Sequence, residues 1–184
     1  MEILIRQATP NDAEALVAYG TMLCNEQDSN VEMSPGEFNY TISEEWIILQ
    51  EYMNMENSIF LVAELQGEIV GMLSCRGGKR IARRHTADLS MSVHEDFRGQ
   101  RIGTLLMSTL MEWLEKNPVV TRIELGVFAR NKPAIHLYEK FGFVKEGCCR
   151  KAIYRNGQYL DTLVMAYLVE DDDIEMDTLP VSCY

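Results

Sequence analysis

Residues 87–115 change their hydrophobic period almost without a pause, and few folds accept that. Ala87-Asp88-Leu89-Ser90-Met91-Ser92-Val93 alternates as a strand does. From Ile102 onward, Ile102, Leu105, Leu106, Leu110, Trp113 and Leu114 form one stripe of a helix. Between them stand His94 to Phe97 and then Arg98-Gly99-Gln100-Arg101-Ile102-Gly103-Thr104. Glycines at such a junction let the chain turn tightly and gather several N–H groups at one point. Those amides, with the positive end of the helix dipole, make an anion site. Arg98 and Arg101 would add charge-assisted bonds to a phosphate. The run is neither a Gly-Lys-Ser/Thr phosphate loop nor G-x-G-x-x-G. The alternative to an anion site is an arginine-rich tight turn with no ligand.

The elements around this junction alternate without repeats. Residues 2–8 read as a strand, and Thr9-Pro10-Asn11-Asp12 as a capped helix start continuing to about residue 25. Residues 26–40 are polar and hold Pro35-Gly36, which marks a loop; a second helix follows over about 43–53. Residues 58–65 and 68–75 are strands joined by the hairpin signal Gln66-Gly67. Past the 102–115 helix come a strand at 122–127, a helix at 133–141 and strands at 143–154 and 159–168. The order β-α-α-β-β-β-α-β-α-β-β describes one mixed α+β domain over residues 1–168. Residues 169–184, rich in Asp and Glu, are expected to be a flexible acidic tail.

Net charge is −11, but the signs are segregated. Residues 1–75 carry −12, residues 76–155 carry +8, and residues 156–184 carry −7. An acidic total argues against general nucleic-acid binding, while the basic middle third suits a small polyanion. No apolar run reaches the ~20 residues of a membrane span, and the first residues lack the basic and apolar regions of a secretory signal. Five cysteines at irregular spacing, Cys24, Cys75, Cys148, Cys149 and Cys183, form no C-x-x-C pair. They argue for free thiols, a cytoplasmic location and no metal site. His85, His94 and His136 share no metal-ligand spacing either.

A second motif, Asn131-Lys132-Pro133-Ala134-Ile135-His136-Leu137-Tyr138-Glu139-Lys140-Phe141-Gly142-Phe143, reads locally as a well-capped short helix. At their spacing, the two motifs resemble the GNAT N-acetyltransferase superfamily. The family's R/Q-x-x-G-x-G/A motif matches at Arg98 and Gly103, with Arg101 in place of the central glycine. Its N-x-x-A-x-x-L/I-Y-x-x-x-G-F segment matches at Asn131, Ala134, Leu137, Tyr138, Gly142 and Phe143. Tyr154-Arg155-Asn156-Gly157-Gln158-Tyr159 before the last strand resembles the subgroup of spermidine and ribosomal-protein acetyltransferases.

The resemblance implies a central, twisted, mostly antiparallel sheet of about seven strands with about four helices. It implies acetyl-CoA as co-substrate, lying between the strands that end at Val93 and Val127. Backbone groups of Met91 and Val93 would bond the pantetheine arm, as would Asn131. Gly99, Gln100, Arg101, Ile102, Gly103 and Thr104 would hold the pyrophosphate. Tyr138 would serve the departing thiolate. The amine would attack the thioester directly, with Asp88, Glu124 or a water chain as base and no choice made among them. Acids at Glu26, Asp28, Glu32 and Glu37, on the family's acceptor side, favour a cationic amine, a polyamine or a basic peptide. A second copy of the chain is admitted as a partner. The competing readings are an acyl-CoA sensor without turnover, supported by Arg101, and a binding module using the acidic tail.

Overall fold

The computed structural model describes residues 3–26 and 30–169. The acidic tail beyond Val169 and the loop position Asp28 lie outside the described residues. In chain order the elements are β1 (Leu4–Gln7), α1 (Ala13–Asn25), α2 (Ile42–Asn54), β2 (Ile59–Leu65), β3 (Glu68–Gly77) and β4 (Thr86–Val93). Then come α3 (Ile102–Leu114), β5 (Arg122–Phe128), α4 (Lys132–Lys140), β6 (Val144–Arg155) and β7 (Gln158–Leu168). The strands form one seven-stranded sheet, β1-β2-β3-β4-β5-β7-β6. Every neighbour pair is antiparallel except β4 and β5, which run parallel.

Local chemistry sets the element ends. Pro10–Asp12 form a 3-10 turn ahead of α1, so the helix starts one turn later than the Thr9-Pro10 signal implies. At α2, Thr41 and Glu44 make a reciprocal capping box: the Thr41 hydroxyl accepts from the Glu44 N–H at 3.2 Å, and the Glu44 carboxylate accepts from the Thr41 N–H at 2.8 Å. Gln66 and Gly67 both take positive φ, 54° and 88°, as a tight turn matched to strand twist requires.

Alternation along the strands divides the core in two. One face buries Leu61, Leu73, Cys75, Ala87, Leu89, Ile123 and Leu125 beneath α3 and α4. The other buries Phe60 and Val62 beneath Leu16 of α1 and Leu49 and Tyr52 of α2. On α3 the buried stripe is Ile102, Leu106, Met107, Leu110 and Leu114. Leu105 is exposed and Trp113 half-buried, because a stripe at 3.6-residue spacing passes through 106, 110 and 114 and leaves both to its side.

Folding also resolves the charge segregation. Arg76 and Lys79 pair with Glu51, Arg84 with Glu56, and Arg98 with Glu26. Bases of the positive middle third thus meet acids of the negative first third. The bases at 76–84 lie at or before the start of β4, roughly 23 Å of strand away from the glycine turn at its other end. Much of the +8 is therefore consumed internally rather than offered to a ligand.

At the sheet's far side Arg6 links Asp12 (2.6 Å) and Glu64 (2.8 Å). The Arg6 guanidinium and the Thr9 donors hold the Asp12 carboxyl down at about 2. A depressed carboxyl stabilises the fold above its unfolded pKa and loses that contribution as pH falls toward the folded value. With Arg6 partly exposed, the contribution is roughly 1–2 kcal/mol. Denaturant unfolding of wild type should therefore lose that much between about pH 4 and pH 2, and Asp12→Asn should be weaker at pH 7 with a flatter profile there.

Candidate active site

The parallel pairing of β4 with β5 stops early. Its register is Thr86↔Arg122, Ala87↔Ile123 and Asp88↔Glu124, and there it ends. Both strands continue, β4 paired on its other edge to β3 as far as Val93 and β5 to β7 as far as Phe128. A gap therefore opens between residues 89–93 and 125–128, at the carboxyl ends of two parallel strands, where α/β sheets bind ligands.

Hydrogen-bond alternation tells which backbone groups line the gap. The His94 N–H bonds Val70 O and the Gly78 N–H bonds Thr86 O, so even-numbered residues of β4 direct their polar groups to β3. His85 O, by contrast, accepts from Thr121 and Arg122 on the β5 side. Leu89, Met91 and Val93 thus present N–H and C=O to the gap. The Val93 carbonyl accepts from Arg98 Nε at 2.9 Å. The same logic on β5, anchored by Ala129 N–H to Asp161 O, turns the groups of Glu124 and Gly126 toward β4.

The glycine turn closes one end of the gap. The Leu105 N–H bonding Arg101 O is the first turn of α3, so the amides of Ile102, Gly103 and Thr104 lie ahead of the helical ladder at its positive end. A Cβ on Gly103 would lie 3.0 Å from Leu137 Cδ2, which is why this turn of α3 can approach α4. Gly99 has φ 77°, and Arg101 has φ 66° and ψ 9°. Arg101 thus occupies the left-handed conformation that glycine takes without strain. Arg98 is differently employed: its guanidinium binds the buried carboxylate of Glu26 at the end of α1 and the Val93 carbonyl. Gln100 Nε2 donates to Asp96 O at 3.2 Å. Exposed Arg101, Arg130 and Lys132 stand at the starts of α3 and α4, where both helices leave the gap. Arg130 and Lys132 were not singled out in the sequence; their position just after a strand end was the available signal.

Tyr138 lies under the sheet with the α3–α4 core, its ring 5.8 Å from Phe143. Burial pushes its phenol up to about 12, so it stays protonated at neutral pH. Asn131 caps α4, accepting from the Ala134 N–H at 3.3 Å.

The opposite face of the gap is polar. Ser92 Oγ meets Tyr19 Oη of α1 at 3.1 Å, which fixes Asp88, Ser90 and Ser92 on the α1–α2 side. Glu124 and Gly126 lie on that side too, and a Cβ built on Gly126 meets nothing within 4 Å. These residues floor an open trough. Arg83 Nη2 (2.6 Å) and Arg122 Nε (3.0 Å) bind the two oxygens of Glu124. Of the loop acids, Glu26 is bound to Arg98 and Glu37 caps the Ser34 N–H at 2.7 Å. Among the described residues no cluster of three His, Cys, Asp or Glu is arranged for a metal. No described helix is long and apolar enough to cross a membrane.

The profile of the Acetyltransferase (GNAT) family matches residues 26–143. The chain belongs to the GNAT acetyltransferase family. Matched relatives are named as N-acetyltransferases. A GNAT acetyltransferase structure from Streptococcus pneumoniae is 32% identical, with TM-score 0.87, covering 92% of this chain and 100% of that one. The L-amino acid N-acetyltransferase AaaT of Escherichia coli is 39% identical over 106 residues, 58% of this chain and 65% of its own length, just under two thirds. The yncA protein of Salmonella typhimurium, solved with its cofactor acetyl-CoA, shares the fold at TM-score 0.80 and 18% identity, covering 98% of this chain and 99% of that one. The mixed sheet of this chain is shared with these GNAT neighbours.

Because Arg101 holds a positive φ, Arg101→Gly should not incur the ~1 kcal/mol that glycine costs in ordinary conformations; stability should stay level or rise by up to about 1 kcal/mol. Thermal unfolding of the variant checks this, and a clear loss would show that the Arg101 side chain stabilises the turn.

Proposed function

We propose that the chain transfers an acetyl group from acetyl-CoA to a primary amine, the thioester lying in the gap between β4 and β5. The observation that carries this is the early end of the β4–β5 ladder, which leaves backbone donors and acceptors facing a slot with a helix N-terminus at its end. The residues present fit the donor. Met91 and Val93 offer strand-like bonds to an extended pantetheine arm, though the Val93 carbonyl is shared with Arg98. Gly99, Gln100, Arg101, Ile102, Gly103 and Thr104 supply the turn amides for the pyrophosphate. Arg101, Lys132 and Arg130, the last standing over the Phe128 ring, supply exposed cations, and Arg98 instead holds the turn to α1. Asn131 Nδ2 remains a donor while its oxygen caps α4. Acetyl-CoA supplies an activated acetyl thioester, and Tyr138 protonates the thiolate as it leaves.

The acceptor reaches the gap through the trough on the α1–α2 face. Its floor carries the exposed carboxylate of Asp88, which favours a cationic amine, beside Glu124, which Arg83 and Arg122 already hold. That charge comes from the central strands rather than from Glu26 or Glu37, which are engaged locally. A polyamine-like amine or a basic peptide fits this floor. Relatives named for L-amino acids and for spermidine both exist, so an amino acid belongs in the same assay. The sensor reading rested on Arg101, and its support weakens because Arg101 takes a left-handed conformation that glycine adopts freely.

Mass spectrometry of amines and basic peptides incubated with acetyl-CoA tests the reading. Wild type should give an acetylated amine, and Tyr138→Phe should lower kcat by about 100-fold with little change in acetyl-CoA affinity. Acetyl-CoA binding without any product would favour the sensor. Gly126→Val should remain folded, since its Cβ has open space and valine suits a strand. It should raise the acceptor KM by tenfold or more while leaving acetyl-CoA binding intact.

A further inference from the structure

Helix α2 buries Leu49 and Tyr52 against the sheet, and its opposite face should then be charged. It is not. Ile42, Trp46, Ile47 and Met53 are each 46% to 55% exposed, with Ser43 and Gln50 among them. Charge is confined to one margin of the helix, where Glu44 and Glu51 stand about two turns apart. A cleft of about 360 Å³ opens over the second half of this face, lined by Trp46, Ile47, Gln50, Asn54, Glu51 and Lys79. A Trp-, Ile- and Met-bearing centre with charge held to its edge is the composition of an interface core.

The charges at the two ends of α2 decide what covers it. The first turn carries Glu44 and Glu45, and Arg6 is the only base in residues 1–75. At the other end Glu51 accepts from both Arg76 (2.5 Å) and Lys79 (3.1 Å), which leaves a positive charge over. An anionic lipid surface would be repelled by the first turn, and a basic peptide by Arg76 and Lys79. A second copy laid antiparallel meets neither conflict, because each end then faces the opposite sign.

We propose that the outer face of α2 is the two-fold interface of a homodimer, the two helices running antiparallel. The residue spacing supports this register. Ile42 and Met53 lie along one margin of the face and are centred between Ile47 and Ile48. Glu44 and Glu51 lie along the other margin and share that centre. A two-fold axis there sets Ile42 of one copy beside Met53 of the other. It also sets Glu44 of one copy beside the Glu51–Lys79 pair of the other. The cleft on the second half of the face then receives the first turns of the other copy's helix, residues 42–47. The face shares no residue with the gap between β4 and β5, so the dimer stands or falls independently of acetyl transfer.

Sedimentation velocity over a dilution series of the full chain tests this. Wild type should sediment as two chains, and Trp46→Ser and Ile47→Asp should each raise the dimer dissociation constant by roughly tenfold or more. Both side chains are already at the surface, and thermal melts confirm that the variants are folded. Lys79→Glu should weaken the dimer by roughly three- to tenfold at low salt and much less at ~1 M salt. Adding Glu44→Gln should restore part of that loss, since glutamine keeps the cap and removes the repulsion. Register is read by mixing Ile42→Cys with Met53→Cys chains and treating them with a short bismaleimide. Mass spectrometry of the peptides, which sets aside the native thiols, should find 42–53 links in excess of 42–42 and 53–53. A wild type that stays monomeric throughout, including one that instead binds anionic vesicles or a basic amphipathic peptide, overturns the proposal. So does a dimer indifferent to Ile47→Asp, and a predominance of 42–42 links overturns the antiparallel pairing.

Discussion

The structure depends on where two parallel strands stop pairing. Antiparallel neighbours hold β4 and β5 on their outer edges for their full length, so neither strand can close the gap without leaving its partner. The slot is thus held open by hydrogen bonds elsewhere in the sheet, and its lining groups point inward because the alternation on the outer edges allows nothing else. α3 and α4 both start at the open end, so two helix N-termini face one mouth. A site of backbone groups and dipoles needs few particular side chains. Arg101 illustrates the tolerance, keeping the turn's conformation at the cost of a left-handed φ.

Much of the fold was legible in the sequence because its signals are local. The element order follows from periodicity, Gly and Pro punctuation and caps, and the structure reproduces it. The misreadings were also local. A 3-10 turn preceded α1 because Asp12 accepts from Thr9 before the helix begins. Leu105 was assigned to the core of α3 because hydrophobicity alone does not separate a stripe from its flank.

Charge was the feature the sequence conveyed least well. Segregated along the chain, it suggested one face for a nucleotide and another for a cation. Folding brings those segments together, and Arg76, Lys79, Arg84 and Arg98 each close onto an acid of the first third. The acids that face the trough, Asp88 and Glu124, come from the segment that is basic overall. A running sum of charge cannot see this, because pairing across a sheet depends on register and side-chain parity. Parity is readable within a strand, and it grouped Asp88 with Ser90 and Ser92. Which face that group joins is decided by Tyr19, 73 residues away.

The same reasoning separates two arginines to which the sequence reading gave one role, a charge-assisted bond to phosphate. Arg98 and Arg101 are three residues apart and both follow a strand end, yet Arg98 reaches back to the Val93 carbonyl and across to Glu26. Such a buried carboxylate would be costly without a cation beside it. Arg98 therefore ties the acceptor side of the domain, through α1, to the turn that would hold the pyrophosphate. Arg101 stands exposed at the helix start with its backbone already turned. Removing Arg98 would leave the Glu26 charge buried and unpaired, so its loss would reach the fold of α1 as well as the slot, whereas Arg101 acts on the slot alone.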